Sequence, residues 1–119
     1  MEREKIYALP IRKVYPAILG KALKKGRSEQ EFLQVVQWLT GYDKAAIDRQ
    51  LDRDITYKAF FDDSPAWNPD ATLIKGVVCK VRVETIGDPV IWRMRCLDKL
   101  VDELAKGKPV EKILNRKKQ

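Results

Sequence analysis

The chain contains no histidine, and only two cysteines, Cys79 and Cys96, among its 119 residues. Without an imidazole there can be no zinc site of the usual Cys/His kind, no Cys–His nucleophile and no Ser–His–Asp triad. The thiols show no CxxC spacing, so the plain reading is two buried small hydrophobes, with a redox pair as the alternative. No apolar run approaches the roughly 20 residues that span a bilayer, and the opening MEREKIYALP lacks a signal-peptide core. These absences point to a cytoplasmic protein without membrane association. Phosphate-loop and dinucleotide fingerprints are missing too, and no metal or cofactor is expected.

What is present describes a folded chain: 45% apolar and 34% charged residues. The length suits one domain over 1–119, with 1–9 and 116–119 as loose ends. The net charge of +7 is uneven. Residues 1–27 hold eight Lys/Arg against two acids, and 106–119 hold six against one, so the body between is mildly acidic.

The clearest element is Asp88 to Gly107. Asp88 can cap a first turn, Pro89 suits the first helical position, and Val90, Met94, Leu97, Val101 and Leu104 line one side of a helix. Earlier, Pro10 or Pro16 can open a helix that ends at Gly26. Ser28 and Glu31 form a capping box for a helix ending at Gly41, Asp43 caps a third helix, and Thr56 caps a short fourth one carrying Tyr57, Phe60 and Phe61. After Gly107, Pro109 restarts a short helix.

Residues 75–86 read two ways. Val77, Cys79, Val81 and Val83 alternate as in a strand, while Leu73, Ile74, Val77, Val78 and Val81 fit helical spacing behind an Asn68–Pro69 start. A strand needs a partner, and the other candidate, Lys5 to Leu9, would make only a marginal ribbon. The helix is therefore preferred, giving an all-α bundle of five or six helices. In it, the 89–106 helix packs on the 69–86 and 29–40 helices, and Cys79 faces Cys96. An α+β fold with a short ribbon in 77–86 is the alternative.

Val14-Tyr15-Pro16, Lys25-Gly26-Arg27, Trp38-Leu39-Thr40-Gly41-Tyr42, Lys75 to Cys79, Val81 to Glu84 and Leu97 to Gly107 together resemble a small bacterial family catalogued as a domain of unknown function. The resemblance covers nearly the whole chain and implies a compact bacterial cytoplasmic protein, but no activity and no site residues. The family pattern commonly has glycine where this chain has Lys80. If that position is tightly packed, the lysine must point outward.

Three candidate sites follow. Arg12, Lys13, Lys21, Lys24, Lys25 and Arg27, with Lys108, Lys112, Arg116, Lys117 and Lys118, could form one phosphate-binding surface if the two ends of the fold meet. Lysines at helix ends are also ordinary solvated surface, and no nucleic-acid recognition motif accompanies them. Trp38, Tyr42 and Trp67 could contact a protein partner or a second copy, each combining a large apolar body with a polar tip. Asp52, Asp54, Asp62 and Asp63, or Glu84 with Arg82, could serve an enzyme only if they converged. The leading reading is a macromolecule-binding module that contacts nucleic acid through its basic ends, with the partner-binding and enzyme readings as alternatives.

Overall fold

A computed structural model describes residues 3–115. Seven α-helices run in chain order: α1 Arg3–Tyr7, α2 Ile11–Lys24, α3 Glu29–Thr40, α4 Lys44–Asp52, α5 Tyr57–Asp62, α6 Pro89–Ala105 and α7 Val110–Leu114. Between α5 and α6 lie two 3-10 turns, Pro69–Leu73 and Val83–Thr85, flanking a hairpin of β1 Val77–Val78 and β2 Val81–Arg82. The domain is thus mostly helical with a small β-hairpin, and the all-α expectation is corrected at that one segment.

The helix starts form as their side chains dictate. Ser28 and Glu31 complete a reciprocal capping box. Asp43 accepts from the Ala46 N–H, Thr56 from Ala59, Asn68 from Asp70, and Asp88 from both Val90 and Ile91. Each of these bonds satisfies a donor that the first turn leaves free. Pro10, not Pro16, precedes the second helix, and Pro16 is accommodated inside it.

The helix expected over 69–86 stops after a single 3-10 turn. Ile74 is extended and Gly76 has φ of 113°, which no right-handed helix can accommodate. The chain then reverses at Cys79 (φ 51°) and Lys80 (φ 67°), both left-handed as a two-residue type I′ hairpin turn requires. Val78 pairs with Val81 and Val77 with Arg82. The missing strand partner is therefore the next strand along. The ribbon is not isolated, because it packs against α6, Val78 and Val83 are buried, and the Glu84 carboxylate accepts from the Gly76 N–H at 3.0 Å. Cys79 is exposed at the turn and Cys96 is buried in α6, so the facing-helix arrangement of the two thiols does not exist. Lys80 does point to solvent, and its positive φ supplies the reason for glycine there.

Residues 3–7 are helical. Ile6 and Tyr7 pack against the core, and the Tyr7 hydroxyl donates to the Asp88 carboxylate. A single antiparallel bridge, Pro10 with Thr56, ties the α1–α2 junction to the α4–α5 junction. In it the Ile11 N–H donates to Ile55 O at 2.9 Å and the Tyr57 N–H to Leu9 O at 2.7 Å. One continuous core results, with Phe32, Leu39, Phe60, Phe61, Leu100 and Leu104 fully enclosed. The α6 stripe buries chiefly against α2, and also against α3 and the hairpin.

Candidate functional site

The aromatic residues form a graded layer from the core to the surface. Tyr42, 2% exposed, stacks on Phe60 at 4.6 Å between ring centroids. Its hydroxyl donates to the Phe60 carbonyl oxygen at 2.8 Å and accepts from the Gln50 amide at 2.9 Å. With its ring buried and its polar tip satisfied, Tyr42 packs as a core residue, and it also lines an open depression of about 290 Å³ with Arg49, Gln50 and Arg53.

Trp38 and Trp67 are half-buried. The Asn68 side chain donates to Trp38 O at 3.1 Å, and the Asn68 N–H to Leu39 O at 2.9 Å. Those bonds lay the 64–68 loop across the end of α3. They hold Trp67 edge-on to Phe61 at 6.2 Å and to Trp92 of α6 at 5.7 Å. The Arg93 guanidinium sits 4.5 Å from the Trp67 ring centroid and donates to the Phe61 carbonyl oxygen at 3.0 Å. Trp92 is also half-buried. Sequence reasoning passed over Trp92 and Arg93 because both lie inside a helix whose stripe accounted for their neighbours.

The basic candidates divide. Arg12 donates to the Leu51 and Asp52 carbonyl oxygens at the end of α4 and lies 3.9 Å from the Asp54 carboxylate. Arg27 donates to Glu31 at 2.6 Å, and to the carbonyl oxygens of Leu104 at 2.8 Å and Lys108 at 2.9 Å. Both arginines therefore act as helix-end ties. The Ser28 capping box and Arg27 together hold the Glu31 carboxyl down at about 2, the arginine hydrogen bond being the larger cause. Lys21, Lys24 and Lys25 lie beside the end of α6, not beside the C-terminal candidates Lys108 and Lys112. With Lys106, Asp102 and Ala105 they line an open depression of about 360 Å³. Lys13 and Lys112 are exposed elsewhere, and Arg116, Lys117 and Lys118 lie outside the described residues.

A third feature was not anticipated from the sequence. Ile6, Leu9, Tyr57, Ile91, Met94, Arg95 and Asp98 line a pocket of about 290 Å³ between α1, α5 and α6. Arg95 donates to Asp98 at 3.0 Å. Burial raises the Asp98 carboxyl, with Arg95 and Lys21 pulling the other way. Burial also raises the Tyr57 phenol, and the Asp98 carboxylate raises it further, so it stays protonated. These residues come from three separate stretches, and only the bridge at Pro10–Thr56 brings Leu9 to Tyr57.

The carboxylate candidates do not converge. Asp52, Asp54, Asp62 and Asp63 are all exposed, and Lys58 takes Asp62. Glu84 is held by the Gly76 N–H and by Arg82 at 3.2 Å, where it closes the base of the hairpin. Among the described residues no group of three His, Cys, Asp or Glu side chains is placed to hold a metal ion, and no helix is long and apolar enough to cross a membrane.

Fold and surfaces together define a small, mostly helical domain with an inserted hairpin and a half-buried aromatic patch. The chain belongs to the family described as uncharacterized protein conserved in bacteria (DUF2200), whose model matches residues 5–115. It is also similar to a solved protein, reported as the crystal structure of uncharacterized protein SP1917. The two share 42% identity over 96% of this chain and 93% of that one, with a TM-score of 0.88. No curated protein matches the chain.

Proposed function

We propose that this domain is a protein-interaction module whose contact face is the Trp67–Trp92 patch. The observation that supports it is the edge-on pairing of two half-buried indoles with a guanidinium lying over one of them. Large aromatics held in one geometry lose little conformational freedom on contact, which is why tryptophan and arginine dominate binding energy at interfaces. Arg93, with one nitrogen on the Phe61 carbonyl oxygen, has further N–H donors beside the Trp67 ring. Affinity capture from lysate with wild-type and Trp67→Ala/Trp92→Ala bait, matched for melting temperature, tests this. A partner held by the wild type and lost by the variant supports the reading, while identical capture profiles or tryptophans inaccessible to acrylamide quenching sink it.

A second reading rests on the meeting of Lys21, Lys24, Lys25 and Lys106 around one depression. Asp102 in the same lining pairs with Lys106 at 3.1 Å, so Lys21, Lys24 and Lys25 carry the excess charge that could neutralise a short run of phosphates, in which case binding to nucleic acid would fall steeply with salt. Mobility shifts on single- and double-stranded DNA and RNA test it. The reading requires binding at low salt that is lost in Lys21→Glu/Lys24→Glu, and no shift at low salt removes it.

A further inference from the structure

The pocket between α1, α5 and α6 has a mixed lining: the apolar Ile6, Leu9, Ile91 and Met94, and the polar Tyr57, Arg95 and Asp98. Tyr57 is only 6% exposed, and its ring is fixed against Phe61 at 5.3 Å. Among the described residues its hydroxyl has no hydrogen-bond partner, yet no fully enclosed side-chain oxygen or nitrogen is left unsatisfied. The hydroxyl oxygen is therefore not fully enclosed, and Tyr57 is one of the residues that line this pocket. A buried phenol facing a cavity without a partner is costly unless water or a ligand supplies the acceptor.

The second donor is Arg95. Its hydrogen bond to Asp98 uses one terminal nitrogen, and a guanidinium carries five N–H donors. Both groups belong to the pocket lining and carry donors, so the complementary ligand group is an acceptor with more than one oxygen. Because Asp98 already balances the Arg95 charge and Lys21 is the further cation felt there, the site suits a single negative charge better than the double charge of a phosphate monoester. The volume is at the small end of ligand sites, and four of the lining side chains are aliphatic or thioether.

We propose that this pocket binds a small organic monoacid, with its hydrocarbon body between Ile6, Leu9, Ile91 and Met94 and its carboxylate accepting from the Tyr57 hydroxyl and the Arg95 guanidinium. The site is separate from the aromatic patch and goes beyond the partner reading. No chemistry is required of it, since two donors and an apolar wall are a binding arrangement.

The test is a titration of the isotope-labelled full chain, followed by amide NMR shifts, with hexanoate and benzoate as probes and hexanol and benzyl alcohol as uncharged controls. The expected result is saturable shifts at Tyr57, Ile91, Met94 and Arg95 with the acids, and binding of the alcohols weaker by about tenfold or more. Tyr57→Phe keeps the ring packing and should weaken acid binding by about 3- to 10-fold. Arg95→Gln should abolish the preference for acid over alcohol. Absence of saturation by about 10 mM acid, shifts confined to the Lys21–Lys24–Lys25 depression, or equal binding of acid and alcohol to the wild type would each overturn the proposal. The wild-type comparison needs no variant to fold, so the proposal is decided even if a substituted chain does not.

Discussion

The Arg27 guanidinium donates to the Leu104 carbonyl oxygen at 2.8 Å across 77 residues of sequence. That bond, with its companion to Lys108 at 2.9 Å, ties the end of α2 to the end of α6, the two longest helices. Helix ends carry unsatisfied carbonyls and partial negative charge, so a fixed cation with several donors stabilises both at once. Arg27→Ala should therefore cost about 2 kcal/mol, read as a lower urea midpoint with unchanged slope. Arg27→Lys should recover only part of it, because an ammonium cannot reproduce the fork.

The same arginine sets an acid dependence. The Glu31 carboxyl is lowered from 4.5 to about 2, first by the Arg27 hydrogen bond and then by the Ser28 N–H. Its contribution is present above the unfolded value of 4.5 and is lost as pH falls toward about 2. Asp98 has the opposite sign, since burial raises it above 3.8 and protonation relieves a cost. Melting curves over that acid range should fall less steeply for Glu31→Gln than for the wild type, and more steeply for Asp98→Asn. Equal slopes for all three chains would contradict the assignment.

Much of this frame was legible because it is written in short-range chemistry. Ser28, Asp43, Thr56, Asn68 and Asp88 each cap within three residues of themselves, a distance that one sequence can report. The hairpin was misjudged because Asn68–Pro69 is a genuine start, and nothing within its own turn reveals that Gly76 will take a positive φ. The ribbon alternative holds as a small hairpin, but the alternation of Val77, Cys79, Val81 and Val83 is not one strand, because the chain reverses at Cys79 and Lys80 and the second half pairs with the first. The pocket was invisible for a different reason. Leu9, Tyr57 and Asp98 meet only through tertiary packing, and none has a local pattern that marks it as other than core or surface.

Gly41 and Gly107 separate two costs that a glycine can conceal. Both have positive φ, 82° and 96°, so alanine at either pays about 1 kcal/mol of left-handed strain. At Gly107 a Cβ would meet nothing within 4 Å, whereas at Gly41 it would meet the Ala66 N and Cβ at 2.8 Å. Ala66 is held there by its own N–H bond to Thr40 O at 3.0 Å, so it cannot easily withdraw. Gly41→Ala should lose roughly 2 to 4 kcal/mol and Gly107→Ala about 1, compared by thermal unfolding. Because the 64–68 loop also carries Trp67, Gly41→Ala should additionally shift the tryptophan emission toward that of exposed indole.

The hairpin turn offers the last test. Cys79 is exposed and Cys96 fully buried, so a thiol reagent should modify one cysteine in the folded chain and both in denaturant. Mass spectrometry should place the first label at residue 79. Lys80 next to it holds φ of 67°, a conformation that costs a side-chain-bearing residue about 1 kcal/mol and glycine nothing. Lys80→Gly should stabilise the domain by no more than about 1 kcal/mol, because part of the relief is offset by the freer unfolded chain. Since the lysine points to solvent, no packing is lost in the exchange. A drop in stability on Lys80→Gly would mean that the chain does not reverse at this turn, and labelling of Cys96 in the native state would mean that α6 does not bury it.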